Sequence, residues 1–242
     1  MKARTVVEKL VDMARSFNTA SADVLRSVKR SDPTFESYRA EVQQKYVDAA
    51  RQKLRAETTA TLADVRKSID SELQAVPLTI ASIRYPNTTS KDSAARVAGE
   101  MQLAASRAFL AVDPSPDALA MEVKEAFAMQ RIDYASELVG RATSLHVDLR
   151  QVLESWEGTA KLVEIEREAA LLQIASRMAD TFSSQLNQKA ERVVLVDAWP
   201  LMNEQERVQG MAALESRGSN LEAVSARMRV AEAMTGILSN AP

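Results

Sequence analysis

Apolar residues recur at helical spacing over long stretches of this chain. Between Phe35 and Val76 they run Phe35, Tyr38, Val42, Tyr46, Ala50, Leu54, Leu62, Val65, Ile69, Leu73 and Val76, with Thr58 in the one missing step. The mean step is about 3.7 residues, nearer an 11-residue repeat than a heptad, which predicts straight or slightly right-handed packing. A second stretch differs. Leu162, Ile165, Ala169, Leu172, Ser176, Ala179, Ser183, Leu186, Ala190 and Val193 alternate steps of three and four without interruption, the seam of a coiled coil. Its middle is small, so a partner helix can approach closely there. Leu171, Ile174, Met178 and Phe182 form a second stripe beside it, and a helix with two stripes touches at least two neighbours. The seam reads either as a self-association surface or as the internal core of a bundle, and such stripes more often close within one chain.

Sparse punctuation sets the ends of these elements. Asp32-Pro33 and Ser115-Pro116 each place a capping side chain before a proline at the first helical position. Asn203 with Glu206, and Ser219 with Glu222, have capping-box spacing, and Gly218 suits a helix C-terminus. The expected helices are 3–30, with Asn18 as its one point of weakness, then 33–76, 91–112, 116–156, 159–196, 203–217 and 220–238. The fold class is therefore all-α: an elongated antiparallel helical bundle with three long helices of about 40 residues and shorter flanking ones. At 1.5 Å rise per residue each long helix spans about 60 Å, as in a rod or stalk. The division of the chain is an N-terminal helical hairpin over 1–76, an irregular connection over 77–90, a central long-helix bundle over 91–200 and a short-helix pair over 201–242. Val193-Val194-Leu195-Val196 is the one run with strand character; it reads as a helix end stopped by Asp197 to Pro200.

Composition narrows the choice. Six glycines and seven prolines in 242 residues are too few for a many-stranded β fold. Zero cysteines and one histidine remove disulfide scaffolds, thiolate zinc sites, cysteine nucleophiles and paired-histidine catalysis. The net charge of −2 is spread evenly, so no segment has the electrostatic footprint of a nucleic-acid binder. On the first long helix Lys45, Arg51, Lys53, Arg55, Arg66 and Lys67 are interleaved with Asp48, Glu57, Asp64 and Asp70, a solvated mixed-charge face. No stretch approaches the roughly 18 consecutive apolar residues that span a bilayer, and Met1-Lys2-Ala3-Arg4 does not begin a signal peptide. Synthesis in the cytoplasm is expected, with incorporation into a particle or export by a signal-less route still open.

Candidate chemistry is thin. His146 sits in a stretch read as mid-helix and has no carboxylate three or four positions away, so the Glu-x-x-His pair of di-iron bundles is missing. Neither a Gly-x-Gly-x-x-Gly fingerprint nor a Gly-Lys pair occurs. Glu164, Glu166 and Glu168 suit the first turn of a helix and do not converge on one point. No catalytic residue, cofactor or metal is expected. Interaction surfaces are better represented. The ten methionines are adaptable contact residues, and Met211, Leu214, Met228, Met234 and Leu238 of the C-terminal pair read either as filling of a local core or as a docking region for a partner.

Trp156-Glu157-Gly158 falls at the expected turn between two long helices. In that respect it resembles the Trp-x-Gly turn of the small helical hairpins exported by type VII secretion, and the resemblance implies an exported hairpin with Trp156 and Gly158 at its corner. The leading expectation is a non-enzymatic assembly protein: a scaffold, adaptor or component of a larger particle such as a virion or secretion machine. Its partner is protein, as a homo-oligomer or larger assembly. The type VII-like hairpin and a curved bundle binding a membrane surface are the alternatives.

Overall fold

The computed structural model describes residues 3–239, with side chains as far as Ala231. Helix accounts for 82% of it and no strand occurs among the described residues, so the fold is all-α. The helices are α1 (Ala3–Ala22), α2 (Val24–Ser31), α3 (Ala40–Arg84), α4 (Ser93–Leu110), α5 (Pro116–Ala128), α6 (Ile132–Ser144), α7 (Arg150–Ser155), α8 (Glu157–Asn187), α9 (Glu204–Ser216) and α10 (Leu221–Ser239). Single 3-10 helices lie at Phe35–Ser37 and Val196–Leu201. The chain forms two compact units, one built from Met1–Leu73 and Glu168–Pro242 and the other from Gln74–Arg167.

In the first unit, α1 presents Val6, Val7, Leu10, Ala14 and Phe17 along one face, all buried. They join Leu62, Val65 and Ile69 of α3 and Leu172, Ala175, Met178, Ala179 and Phe182 of α8 in a single core. Phe17 meets Phe182 edge to face at 6.3 Å, the orientation favoured by the ring quadrupoles. A smaller cluster gathers Val24, Val28, Phe35 and Val47, with Tyr38 and Leu54 at its margin. The second unit has its own core of Leu119 and Val123 from α5, Tyr134, Ala135, Leu138 and Ala142 from α6, and Leu149.

Where the observed helices differ from the expected ones, local chemistry explains it. Asp32-Pro33 does not open the long helix. The Asp32 carboxylate accepts from the Thr34 amide at 3.0 Å and hydroxyl at 2.7 Å, closing a turn, and α3 begins only at Ala40. It then continues through Pro77 to Arg84, beyond the expected end at residue 76. Within a helix, proline removes one hydrogen bond, here the one to the Leu73 carbonyl; in a 45-residue helix the remaining bonds carry the chain past it. The 116–156 segment is three helices, not one, because Gln130 and His146 take left-handed conformations that end α5 and α6. Lys189 does the same for α8, so the expected helix over 159–196 stops at Asn187. One 45-residue and one 31-residue helix therefore stand where three of about forty were expected. The first break in the N-terminal segment falls at Asp23, while Asn18 stays inside α1. The Asn203–Glu206 capping box is fully formed, and Ser115 caps α5. Asn220, not Ser219, accepts from the first amides of α10.

Candidate functional site

The seam residues do not share one environment. Leu162 and Ile165 lie in the second unit, both half-buried. In the first unit Leu172, Ala179 and Leu186 are buried in the core against α1 and α3 residues, while Ala169, Ser176 and Ser183 are half-buried. Ala190 and Val193 fall beyond the end of α8. Between Leu162 and Leu186 the pattern does mark one helix, but much of its surface in the first unit is occupied by this chain itself.

Val193 to Leu195 is neither a helix end nor a strand: it has no regular secondary structure, and Val196 opens the 3-10 helix that follows. The run lies between two clusters with alternating allegiance: Val193 and Leu195 enter the core of α1, α3 and α8, and Val194 and Val196 enter a second cluster with Trp199, Leu214 and Met228. Buried backbone amides and carbonyls need partners, and here side-chain amides supply them. Asn18 of α1 donates to the Val193 carbonyl at 2.9 Å and accepts from its N–H at 2.7 Å. Gln185 of α8 does the same for Val194, at 2.8 and 2.9 Å. Arg217 in turn donates to the Gln185 carbonyl oxygen at 2.8 Å.

The expected docking residues of the C-terminal pair face this segment. Leu214 and Met228 are buried and Met211 packs on the same cluster half-buried; the side chains of Met234 and Leu238 lie outside the described residues. Polar bonds fasten the pair further. The Arg15 guanidinium donates to the Glu206 carboxylate at 2.6 Å, which holds that carboxyl below the usual glutamate range, and Arg227 reaches Asp197 at 2.6 Å.

Trp156 joins the six-residue α7 to α8, not two long helices as the resemblance had implied. Gly158 is buried under the indole, and a Cβ there would collide with the six-membered ring of Trp156. His146 is not mid-helix: it stands exposed just past α6 with φ 55°. Of the three glutamates, Glu168 has a structural role, accepting from the Ala3 amide at 2.8 Å. No group of three or more His, Asp or Glu side chains is placed to hold a metal, and no helix is long and apolar enough to cross a membrane, among the described residues.

In the second unit a buried carboxylate organises the approach of α4. Asp133, fully buried in the first turn of α6, accepts from the Asn87 amide at 3.1 Å, the Thr88 amide at 2.7 Å and the Thr88 hydroxyl at 2.6 Å. The turn held in this way meets α4 at Gly99, where a Cβ would lie 2.5 Å from the Thr88 nitrogen; only glycine permits that contact. Next to Asp133, Tyr134 donates to Glu122 at 2.8 Å. Burial and that carboxylate push the phenol up to about 12. Gln102 of α4 accepts from the Tyr134 amide at 3.3 Å, so α4 packs on α6 through the face carrying Gly99, Gln102, Leu103 and Ser106.

The other face of α4 is left open. Ala94, Val97, Ala98, Met101, Ala104, Ala105 and Ala108 are all exposed, Val97 at 60% and Met101 at 69%. Their spacing of three and four places them on one stripe about 20 Å long, while Arg96, Glu100 and Arg107 keep to a narrow sector beside it. The stripe was legible at helical spacing, but its exposure depends on which face the Asp133 turn and α6 occupy. No protein-family model, curated protein or solved structure matches this chain.

Proposed function

We propose that this chain is a non-enzymatic helical assembly protein, a scaffold, adaptor or component of a larger particle, which binds protein partners or further copies of itself through helix–helix contacts. The observation that carries this reading is the exposed apolar face of α4. A contiguous apolar stripe on a soluble helix marks an interaction surface, and a stripe of alanines around Val97 and Met101 lets a second helix lie close along it. Full burial of those two larger side chains contributes about 1.5–3 kcal/mol each. The buried polar groups point the same way, since Asn18, Gln185 and Asp133 are all engaged in holding the backbone in place.

Size-exclusion chromatography with light scattering over a range of concentrations, combined with partner recovery from the host, tests the proposal. The wild-type chain is expected to form an oligomer or to carry a partner. The Val97→Glu/Met101→Glu double variant is expected to lose that association with its melting temperature unchanged, because both side chains are exposed. A wild-type chain that stays monomeric throughout and recovers no partner overturns the proposal, as does a double variant that assembles like wild type.

A further inference from the structure

We infer that the second unit carries a separate binding site for a small carboxylate with a flat aromatic body, in the cleft between α5, α7 and the Trp156 turn. The cleft has a volume of about 760 Å³, within the usual range of small-molecule sites. Its floor is the ring pair Phe127 and Trp156, with centroids 5.1 Å apart and planes tilted by 38°. Ile132 and Val152 add apolar wall.

The floor is held in place before any ligand arrives. Trp156 stands between α7 and α8 with an extended backbone, φ −86° and ψ 120°, and its indole lies over Gly158 where any larger residue would displace it. That contact accounts for the Trp-Glu-Gly sequence without a hairpin of long helices. A fixed aromatic surface binds a flat ring with little ordering cost.

The polar groups around this floor favour an anion. Lys124 lines the cleft, and its ammonium has no carboxylate within ion-pairing distance among the described residues. The indole N–H of Trp156 likewise has no acceptor there, and the Gln151 side-chain amide at the rim is also without a protein partner. Glu157, the one carboxylate lining the cleft, is already held by Lys161 at 2.6 Å. The amides that line the cleft can each give or take a bond, so the two donor-only groups left without an acceptor, the Lys124 ammonium and the Trp156 indole N–H, set its preference. A ring carboxylate satisfies both features: the ring stacks on Phe127 and Trp156, and the carboxylate accepts from Lys124 in a charge-assisted bond.

Calorimetric titration of the full chain with 2-naphthylacetate and with its neutral isostere 2-naphthylacetamide tests this. The acid is expected to bind at least about tenfold more tightly than the amide. Lys124→Met, an exposed change that keeps the aliphatic stem, is expected to abolish that difference while leaving amide binding in place. Trp156→Phe, checked for an unchanged melting temperature, is expected to weaken both ligands. Equal affinities for acid and amide in the wild type, a preference that survives Lys124→Met, or no saturable binding of either compound up to about 10 mM each overturns the inference. The cleft shares no residue with the α4 stripe, so failure at one site leaves the reading of the other standing.

Discussion

Three helix ends in this protein rest on residues that seldom take the left-handed conformation. Gln130, His146 and Lys189 have φ of 56°, 55° and 55°, and each lets the next amide reach back five residues: Arg131 to Ala126, Val147 to Ala142 and Ala190 to Gln185, at 2.9 to 3.0 Å. Gly218 closes α9 in the same manner, with the Ser219 amide donating to the Leu214 carbonyl. Glycine is the usual residue in this motif because it has no Cβ to strain, so only the fourth of these ends was legible in the sequence. Replacing Gln130, His146 or Lys189 by glycine is expected to stabilise the fold by about 0.5–1 kcal/mol, the relieved strain exceeding the added entropy of the unfolded chain. Alanine at the same positions is expected to bring no such gain. Urea denaturation of the six variants measures both. A second residue-level expectation concerns Tyr134, whose phenol is raised from 10.0 to about 12 in the folded protein. The neutral phenol is the form favoured by folding, so its contribution is complete below pH 10 and is lost as pH rises from 10 towards 12. Stability of the wild type is therefore expected to fall over that interval relative to Tyr134→Phe, and the last-titrating tyrosinate absorbance is expected to vanish in the variant.

Among the elements, the irregular run from Val193 to Leu195, with Val196 opening the 3-10 helix after it, shows how a strand-like sequence can exist without a sheet. Its alternating side chains reach two different cores, and Asn18 and Gln185 take the place of neighbouring strands. Asn18→Leu or Gln185→Leu leaves a buried amide and a buried carbonyl unpaired, at about 1–3 kcal/mol for each group. A loss of about 2–6 kcal/mol is expected from either change in chemical denaturation, with Asn18→Asp, which keeps the acceptor, falling between Asn18→Leu and wild type. The run was legible as β-branched and apolar, and its partners were not, because they lie 175 and 9 residues away. Between Leu162 and Leu186 the apolar spacing falls on one helix, α8, whereas Ala190 and Val193 lie beyond the turn at Lys189. On α4, both apolar faces are present in the sequence, and the contact at Gly99 and Thr88 decides which one is used within the unit.

For the molecule as a whole, charge and helix content follow from composition alone. A chain with net charge −2 and an isoelectric point of about 5.7 has little electrostatic repulsion to keep copies apart near that pH. Light scattering is expected to show association rising as the pH falls from 8 towards 5.7. Few turn residues and long apolar periodicities determined an all-helical protein before any tertiary contact was known, because helix formation depends on residues three and four apart. The same locality explains what the sequence left open. Where the long helices break depended on single residues in the left-handed region, Gln130, His146 and Lys189. The two-unit arrangement depended on α3 and α8 contributing residues to both, and the exposure of one α4 face on a buried carboxylate gripping a turn 45 and 46 positions earlier. Such contacts are selected by burial and hydrogen bonding between distant segments, and only the tertiary structure brings those segments together.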